Sequence, residues 1–482
     1  MNTQNLTLLT DLYELTMMQG YFETQENETV IFDVFFRNNP NNGGYSIMAG
    51  LDQVIDYIKN LNFSYEDVDY LRGLGIFTED FLHYLSGFHF SGDIYAIREG
   101  SVIFPKEPLL KIVAPIMEAQ LVETAILNII NHQCLIATKA SRVVYAAQGD
   151  GIMEFGLRRA QGPDAGLYGA RAAMIGGCVG TSNVLAGQMF DVPVMGTHAH
   201  SWIMSFKDEY TAFKEYARLY PNACTLLVDT YDTLKSGVPN AIRVFTEMRD
   251  AGIHPKSYGI RLDSGDLAYL SKKARKMLDE AGFTDAVIAA SNDLDEFLIN
   301  DLKIQGAKIG SWGVGTNLIT SKDCPSFGGV YKLSAIQNND GEFIPKIKIS
   351  ENVEKITNPG DKTIYRVYDK ETGKIRADLI CFADETWNEE DELLLFDPNA
   401  TWKKTRLPGG SYTMKEILLP IFKHGECIYE SPSVMEIAQF CKEEKETLWD
   451  ETKRLFNPHG VYVDLSRSLY DTKNRLLDDM SK

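Results

Sequence analysis

Arginines, a histidine pair and a series of carboxylates gather at the ends of short apolar runs between residues 150 and 335. Those ends read Phe155-Gly156-Leu157-Arg158-Arg159, Gly196-Thr197-His198-Ala199-His200-Ser201, Asp229-Thr230-Tyr231-Asp232, Arg261-Leu262-Asp263-Ser264-Gly265-Asp266, Ser291-Asn292-Asp293 and Gly313-Val314-Gly315-Thr316-Asn317. Arg158, Arg159 and Arg261 end segments otherwise lined by apolar residues, where an unpaired guanidinium is costly. Each either pairs internally with Asp229, Asp263 or Asp266, or clamps a carboxylate or phosphate on a ligand. Both roles stay open for different arginines.

His198 and His200 are two residues apart, so on a strand they would face the same way. One reading is a metal pair, as in barrel hydrolases with a His-x-His strand, which needs further imidazole or carboxylate ligands. Only His254 follows within this stretch, and it precedes Pro255 at the start of a strand, the wrong end. A second reading is one catalytic imidazole oriented by a carboxylate such as Asp229. The third is a histidine simply hydrogen-bonded in the wall. Phe155 reads first as core and second as a stacking ring. Ser291-Asn292-Asp293 and Gly313-x-Gly315-Thr316 precede predicted helices, so they offer either phosphate-binding backbone N–H groups or ordinary N-caps. Neither a dinucleotide fingerprint nor a Gly-x-x-x-x-Gly-Lys loop is present.

These residues need elements that bring them together. The runs 152–155, 192–195, 225–228, 258–262, 286–290 and 308–310 alternate with helical patterns such as Leu267, Leu270, Ala274, Met277 and Leu278, stopped by Gly282. Strand alternating with helix over roughly 200 residues predicts parallel strands closed into an α/β barrel, whose reactive groups sit at the carboxyl ends of the strands. The expected catalytic barrel covers 138–337. Before it, 1–137 is an α/β segment with an amphipathic helix through Leu8, Leu9, Leu12, Leu15 and Met18, a strand at 30–36 and a buried helix at 123–131. After it, 338–482 is an α+β segment: Asn339-Asp340-Gly341 and Glu371-Thr372-Gly373-Lys374 predict hairpins, and Ser431-Pro432 opens a charged helix.

The 482 residues are 44% apolar and 24% charged, an ordinary globular mix. With 48 basic against 67 acidic residues the net charge is −19, which disfavours nucleic acid and anionic lipid as partners. An anionic ligand would need a local basic cluster. Seven scattered cysteines without a Cys-x-x-Cys pair argue against a disulfide framework or zinc ribbon. The first basic residue is Arg37 and no apolar run reaches bilayer length, so a cytoplasmic protein without a membrane partner is expected.

Seven blocks, in order along almost the whole chain, resemble nicotinate phosphoribosyltransferase. They are 9–17 (Leu-Thr-Asp-Leu-Tyr-Glu-Leu-Thr-Met), Phe35-Phe36-Arg37, 154–162 (Glu-Phe-Gly-Leu-Arg-Arg-Ala-Gln-Gly), 196–201, 228–232, 261–267 and 328–333. The resemblance implies an irregular α/β barrel carrying the site, and an α+β domain completed by N- and C-terminal segments. It also implies a homodimer with the site at the subunit interface. The implied reaction is ATP-coupled condensation of nicotinate with phosphoribosyl pyrophosphate, with Mg2+ accompanying ATP and pyrophosphate.

By the same resemblance His200 is the phosphorylated histidine, Asp229 orients it and Asp263 lies beside the reacting ribose. Phe155 and the partner subunit's Tyr13 sandwich the pyridine, Arg158 and Arg261 hold the ligand, and Arg37 and Lys322 contact the pyrophosphate side. Independently of the resemblance, the two late loops would bring Ser291, Asn292, Gly313, Gly315 and Thr316 to the phosphates. The related nicotinamide enzyme carries an aspartate where Ser182 stands; a carboxylate there would repel nicotinate, so serine favours the acid. Three alternatives stay in view: that nicotinamide enzyme, a metal-dependent barrel hydrolase using His198 and His200, and a catalytically silent phosphoribosyl-pyrophosphate binder.

Overall fold

The computed structural model describes residues 5–352, 355–400 and 402–480. The chain divides into two compact units. One comprises Met1–Leu135, Ser326–Pro432 and Phe440–Lys482, the other Ile136–Pro325 and Ser433–Gln439. The strand Gly329–Gln337, which the sequence reading leaves on the barrel side, therefore belongs to the first unit.

The second unit is built on six parallel strands. In spatial order they are Gly180–Thr181, Gly151–Glu154, Ser311–Val314, Val287–Ala290, Ser257–Leu262 and Ala223–Leu227. Ile152, Leu226, Ile260, Leu262 and Val314 on these strands are all buried. Parallel strands need crossover connections, and here helices such as Val238–Asp250, Leu267–Glu280 and Glu296–Ile304 supply them. Each of the last two starts on an aspartate cap: Asp266 accepts from the Tyr269 N–H at 2.9 Å and Asp295 from the Leu298 N–H at 2.7 Å. Asp266 is thus a helix cap, not an arginine partner. Buried Glu296 takes Lys139 at 2.7 Å and Arg142 at 2.9 Å, tying its helix to the 136–146 part of the long helix Glu123–Ala146.

The sheet is curled and irregular. The expected strand at 192–195 reduces to one parallel bridge, Thr181 to Val194, because Pro193 has no N–H to give a ladder. Met195 N–H donates to Thr181 O at 2.8 Å on one edge, while the Leu227 N–H on the other edge donates to Nε2 of His198 at 3.3 Å. The 193–198 segment thereby touches both edge strands of this irregular α/β half-barrel. The expected strand at 308–310 begins three residues later, at Ser311. That shift matters below, since it moves Gly313 from a loop into a strand.

The first unit joins both ends of the chain in one sheet. Thr29–Phe36 pairs with Gly329–Gln337 on one side and Leu110–Pro115 on the other, and Leu418–Lys423 pairs with Asp93–Ile97, all antiparallel. A second sheet holds the hairpin Lys362–Asp369 and Ile375–Phe382, turned at Gly373 with φ +68°. The N-terminal helix is Leu12–Thr24, with Asp11 as the residue before its first turn, so Leu8 and Leu9 precede it. Leu15 and Met18 are buried, but Leu9, Leu12, Tyr13 and Met17 are exposed. Pro432 lies before the helix Val434–Glu446 instead of inside its first turn; Ser433 and Glu436 form a capping box there. No described helix is long and apolar enough to cross a membrane.

Candidate active site

His200 opens the short helix His200–Met204. Its Nδ1 lies 3.0 Å from Oγ1 of Thr230, and its Nε2 lies 3.7 Å from Oδ2 of Asp263. The ring is 40% exposed. Asp229, expected to orient it, does something else: its Oδ2 accepts from the Asp263 N–H and from Ser264 Oγ, both at 2.7 Å. Asp229 shapes the turn that carries Asp263, and Thr230 is the residue that holds the imidazole. Asp263 is pinned from a third side by the Ser291 hydroxyl, which donates to its Oδ1.

The two histidines have different fates. No strand holds them, so the spacing of two does not put them on one side. His198 is buried in the wall, edge-on to Tyr216 with ring centroids 4.6 Å apart. Burial first, then the charges of Arg261 and His200, push its pKa down to about 4, so it is neutral and free to accept the Leu227 N–H. A shared metal on the pair fails on this geometry, and no described group of three His, Cys, Asp or Glu side chains could hold a metal ion.

Arg261 reaches from its strand across the mouth. Nη1 donates to Thr197 Oγ1 and, at 3.4 Å, to the His198 carbonyl, while Nη2 stands 3.7 Å from Oδ1 of Asp263. Its buried Nε has no partner. Burial lowers its pKa and the Arg158 guanidinium lowers it further, against the raising effect of Asp263 and Asp229. Two arginines are thus close enough to feel each other's charge. Arg158 itself is exposed, on the turn Leu157–Arg159.

That turn follows Phe155, whose ring lies against Gly313. A Cβ on Gly313 would stand 2.6 Å from Cδ2 and 2.7 Å from Cε2 of the ring. Gly313 therefore makes room for Phe155 within a strand; the expected phosphate-loop role is not where the structure puts it. Gly315 caps only the four-residue helix Thr316–Ile319. Asn292, with φ +89°, is exposed, and the following helix starts later, capped by Asp295. Buried Asn317 ties the two late loops together by donating to the carbonyls of Asp293 at 2.9 Å and Leu294 at 3.1 Å. Ser182 is half-buried at the end of Gly180–Thr181, its N–H donating to Glu154 O at 3.0 Å. Lys322 is exposed in the same unit. Tyr13 and Arg37 belong to the other unit; Tyr13 is exposed, and the buried Nε of Arg37 has no partner.

Family models agree with this architecture. That for the nicotinate phosphoribosyltransferase (NAPRTase) N-terminal domain matches residues 8–131, that for the NAPRTase family 151–372, and that for the C-terminal domain 361–473. The nicotinate phosphoribosyltransferase of Bacillus subtilis (strain 168) is 46% identical over 477 residues, covering 99% of this chain and 96% of its own. The chain belongs to the nicotinate phosphoribosyltransferase family. The Homo sapiens nicotinate phosphoribosyltransferase is 31% identical over 528 residues, covering 97% of this chain and 96% of its own. The crystal structure of human nicotinic acid phosphoribosyltransferase superposes with a TM-score of 0.84 at 28% identity, covering 97% of this chain and 99% of that one.

Within this nicotinate phosphoribosyltransferase fold, three supporting residues escape reading by type. Thr197 and Thr230 are neutral hydroxyls, and nothing in their spacing marks them as the partners of Arg261 and His200. Glu154 is fully buried, its two oxygens accepting from the Gly156 N–H and, at 2.6 Å, from Thr181 Oγ1. Burial raises its pKa. It fixes the turn after Phe155 and the strand Gly180–Thr181 to each other. An acid inside an otherwise apolar strand was the available signal for it.

Proposed function

We propose that the protein condenses nicotinate with phosphoribosyl pyrophosphate to nicotinate mononucleotide and pyrophosphate. The coupled reaction converts ATP to ADP and phosphate through a phosphohistidine at His200. The observation that carries this reading is the convergence of Arg261, His200 and Asp263 at one strand-end mouth.

Arg261 and Arg158 supply a charge that matches the substrate carboxylate. Phe155, held by Gly313, presents a ring to the pyridine, and Ser182 leaves the acid unrepelled. The pyridine nitrogen attacks C1 of the phosphoribosyl group, the C–O bond to pyrophosphate breaks, and positive charge builds on the sugar ring. Asp263 offers a fixed carboxylate to that charge. Because Nδ1 of His200 is engaged by Thr230, Nε2 is the nitrogen free to take the terminal phosphoryl group of ATP, releasing ADP. Water later removes that group as phosphate.

Magnesium would travel with the polyphosphates in this scheme and would neutralise their charge. Asp229 Oδ1, buried without a partner, is an oxygen that would face such an ion from the protein side. A homodimer in which the partner subunit's Tyr13 completes the pyridine site suits the exposed Leu9, Leu12, Tyr13 and Met17.

Incubation with terminally labelled ATP, followed by mapping of acid-labile phosphate, tests the scheme. Label on His200 that is discharged when nicotinate and phosphoribosyl pyrophosphate are added is the expected result. Label on another residue, or none with full ATP-stimulated synthesis, would reject it.

A further inference from the structure

A cavity with a volume of about 530 Å³ opens in the same unit, lined in part by Tyr231 of the loop that carries Thr230, and it lies within the range of small-molecule sites. Its walls come from the start of the helix Glu209–Leu219, the loop after Asp229 and the helix Val238–Asp250. Nothing in the reaction scheme above uses it.

Four features of this groove point to one class of ligand. Glu209 is 4% exposed, and its Oε2 is satisfied by Asn240 Nδ2 at 2.9 Å and by the Ser236 hydroxyl. Its other oxygen, Oε1, is buried without a partner. A carboxylate accepts hydrogen bonds only, so that oxygen asks for an O–H or N–H donor and repels a bare anion. The Arg243 guanidinium lies 3.7 Å over the Tyr210 ring, and Tyr231 is 63% exposed. Both line the groove and offer flat surfaces on which a planar ring stacks. Lys207 adds an exposed cation at one side, 4.0 Å from Oδ2 of Asp208.

The groove is also joined to the phosphoacceptor. Tyr231 directly follows Thr230, which holds His200 Nδ1 at 3.0 Å, and Lys207 comes three residues after the helix His200–Met204 ends. A ligand with donor hydroxyls or an amine, a flat ring and a phosphate chain is a nucleotide. We propose that this groove receives the nucleoside of the phosphoryl donor, its ring against Tyr231 and the Arg243–Tyr210 stack, a donor hydrogen on Glu209 Oε1, and its phosphates passing Lys207 toward His200. This rests on the phosphohistidine reading and adds where the donor binds.

Calorimetric titration of the full chain with β,γ-methylene-ATP and magnesium tests it. Tyr231→Ala removes an exposed ring without disturbing a buried contact and is expected to raise the Kd about tenfold, a typical loss for one base–aromatic stack. Tyr231→Phe should retain the wild-type value. Glu209→Gln should erase any preference for the ribose 2′-hydroxyl or the 6-amino group, read by comparing ATP with 2′-deoxy-ATP and ITP. In kinetics the Tyr231→Ala effect should fall on the KM for ATP and leave the KM for nicotinate within twofold. Wild-type affinity in Tyr231→Ala, with the analogue still binding, would place the nucleoside elsewhere and overturn this site while leaving the phosphohistidine scheme standing. A wild-type protein that neither binds the analogue nor takes phosphate on His200 would overturn both.

Discussion

Gly313→Ala asks whether Phe155 is the surface on which the pyridine lies. The new methyl group would stand 2.6–2.7 Å from two ring carbons, about an ångström inside ordinary contact. The strand cannot retreat, because Ser311–Val314 is paired on one side with Gly151–Glu154 and on the other with Val287–Ala290. The half-buried ring must therefore swing toward the mouth. A displaced stacking partner costs about 1–3 kcal/mol, or about 5- to 150-fold in the KM for nicotinate.

Initial rates with nicotinate varied at saturating co-substrates, then with phosphoribosyl pyrophosphate varied, separate this from general damage. The nicotinate KM should rise at least fivefold and the other KM stay within twofold. Gly310→Ala is the matched control, since a Cβ there meets nothing within 4 Å. Adding Phe155→Ala to Gly313→Ala should cost little more than either alone, as expected for two changes to one contact. A Gly313→Ala protein with the wild-type nicotinate KM would refute the stacking argument.

Three further outcomes are expected. His200→Ala should abolish ATP-stimulated synthesis while leaving slow ATP-independent synthesis; retained coupling would show that another residue takes the phosphate. Ser182→Asp should cut kcat/KM for nicotinate by about tenfold or more through charge repulsion near the ring, and unchanged turnover of nicotinate relative to nicotinamide would contradict Ser182 as a selector. His198 titrates near 4 in the fold against 6.5 ordinarily, so below pH 6.5 the unfolded chain binds a proton that the folded chain refuses. Stability present above pH 6.5 should fall as pH drops toward 4, by on the order of 3 kcal/mol; His198→Asn should show a shallower decline in thermal midpoint over that interval, and parallel curves would count against it.

Side-chain type and periodicity exposed most of the barrel and its mouth, and the failures have physical reasons. The strands at 151–154, 223–227, 257–262 and 287–290 were legible because compact apolar runs ended in polar rims. Gly180–Thr181 was not, since two residues carry no period. The run at 308–310 pointed three residues early because its apolar content is too small to fix a boundary, and the error turned Gly313 from a ring-packing position into a supposed phosphate loop. The partners of His200 were likewise hidden: spacing identifies charged groups, whereas the hydroxyl of Thr230 wins the imidazole through loop geometry that only the fold sets.

The chain carries a net charge of −19, yet its mouth is short of negative charge where it counts. Asp263, the carboxylate beside Arg261, stands at 3.7 Å and already accepts from Ser291. Asp229 has its Oδ2 on a backbone N–H and a serine hydroxyl. The direct acceptors of the guanidinium, Thr197 Oγ1 and the His198 carbonyl, are neutral, and Nε has none. A half-buried cation so incompletely matched, with Arg158 adding like charge, gains most from a ligand that brings a full negative charge. A neutral amide of the same shape would offer hydrogen bonds but leave that charge uncompensated. In the proposed scheme, preference for the acid over the amide would then arise from the arginine pair as well as from Ser182, so removing either alone should narrow the preference without reversing it.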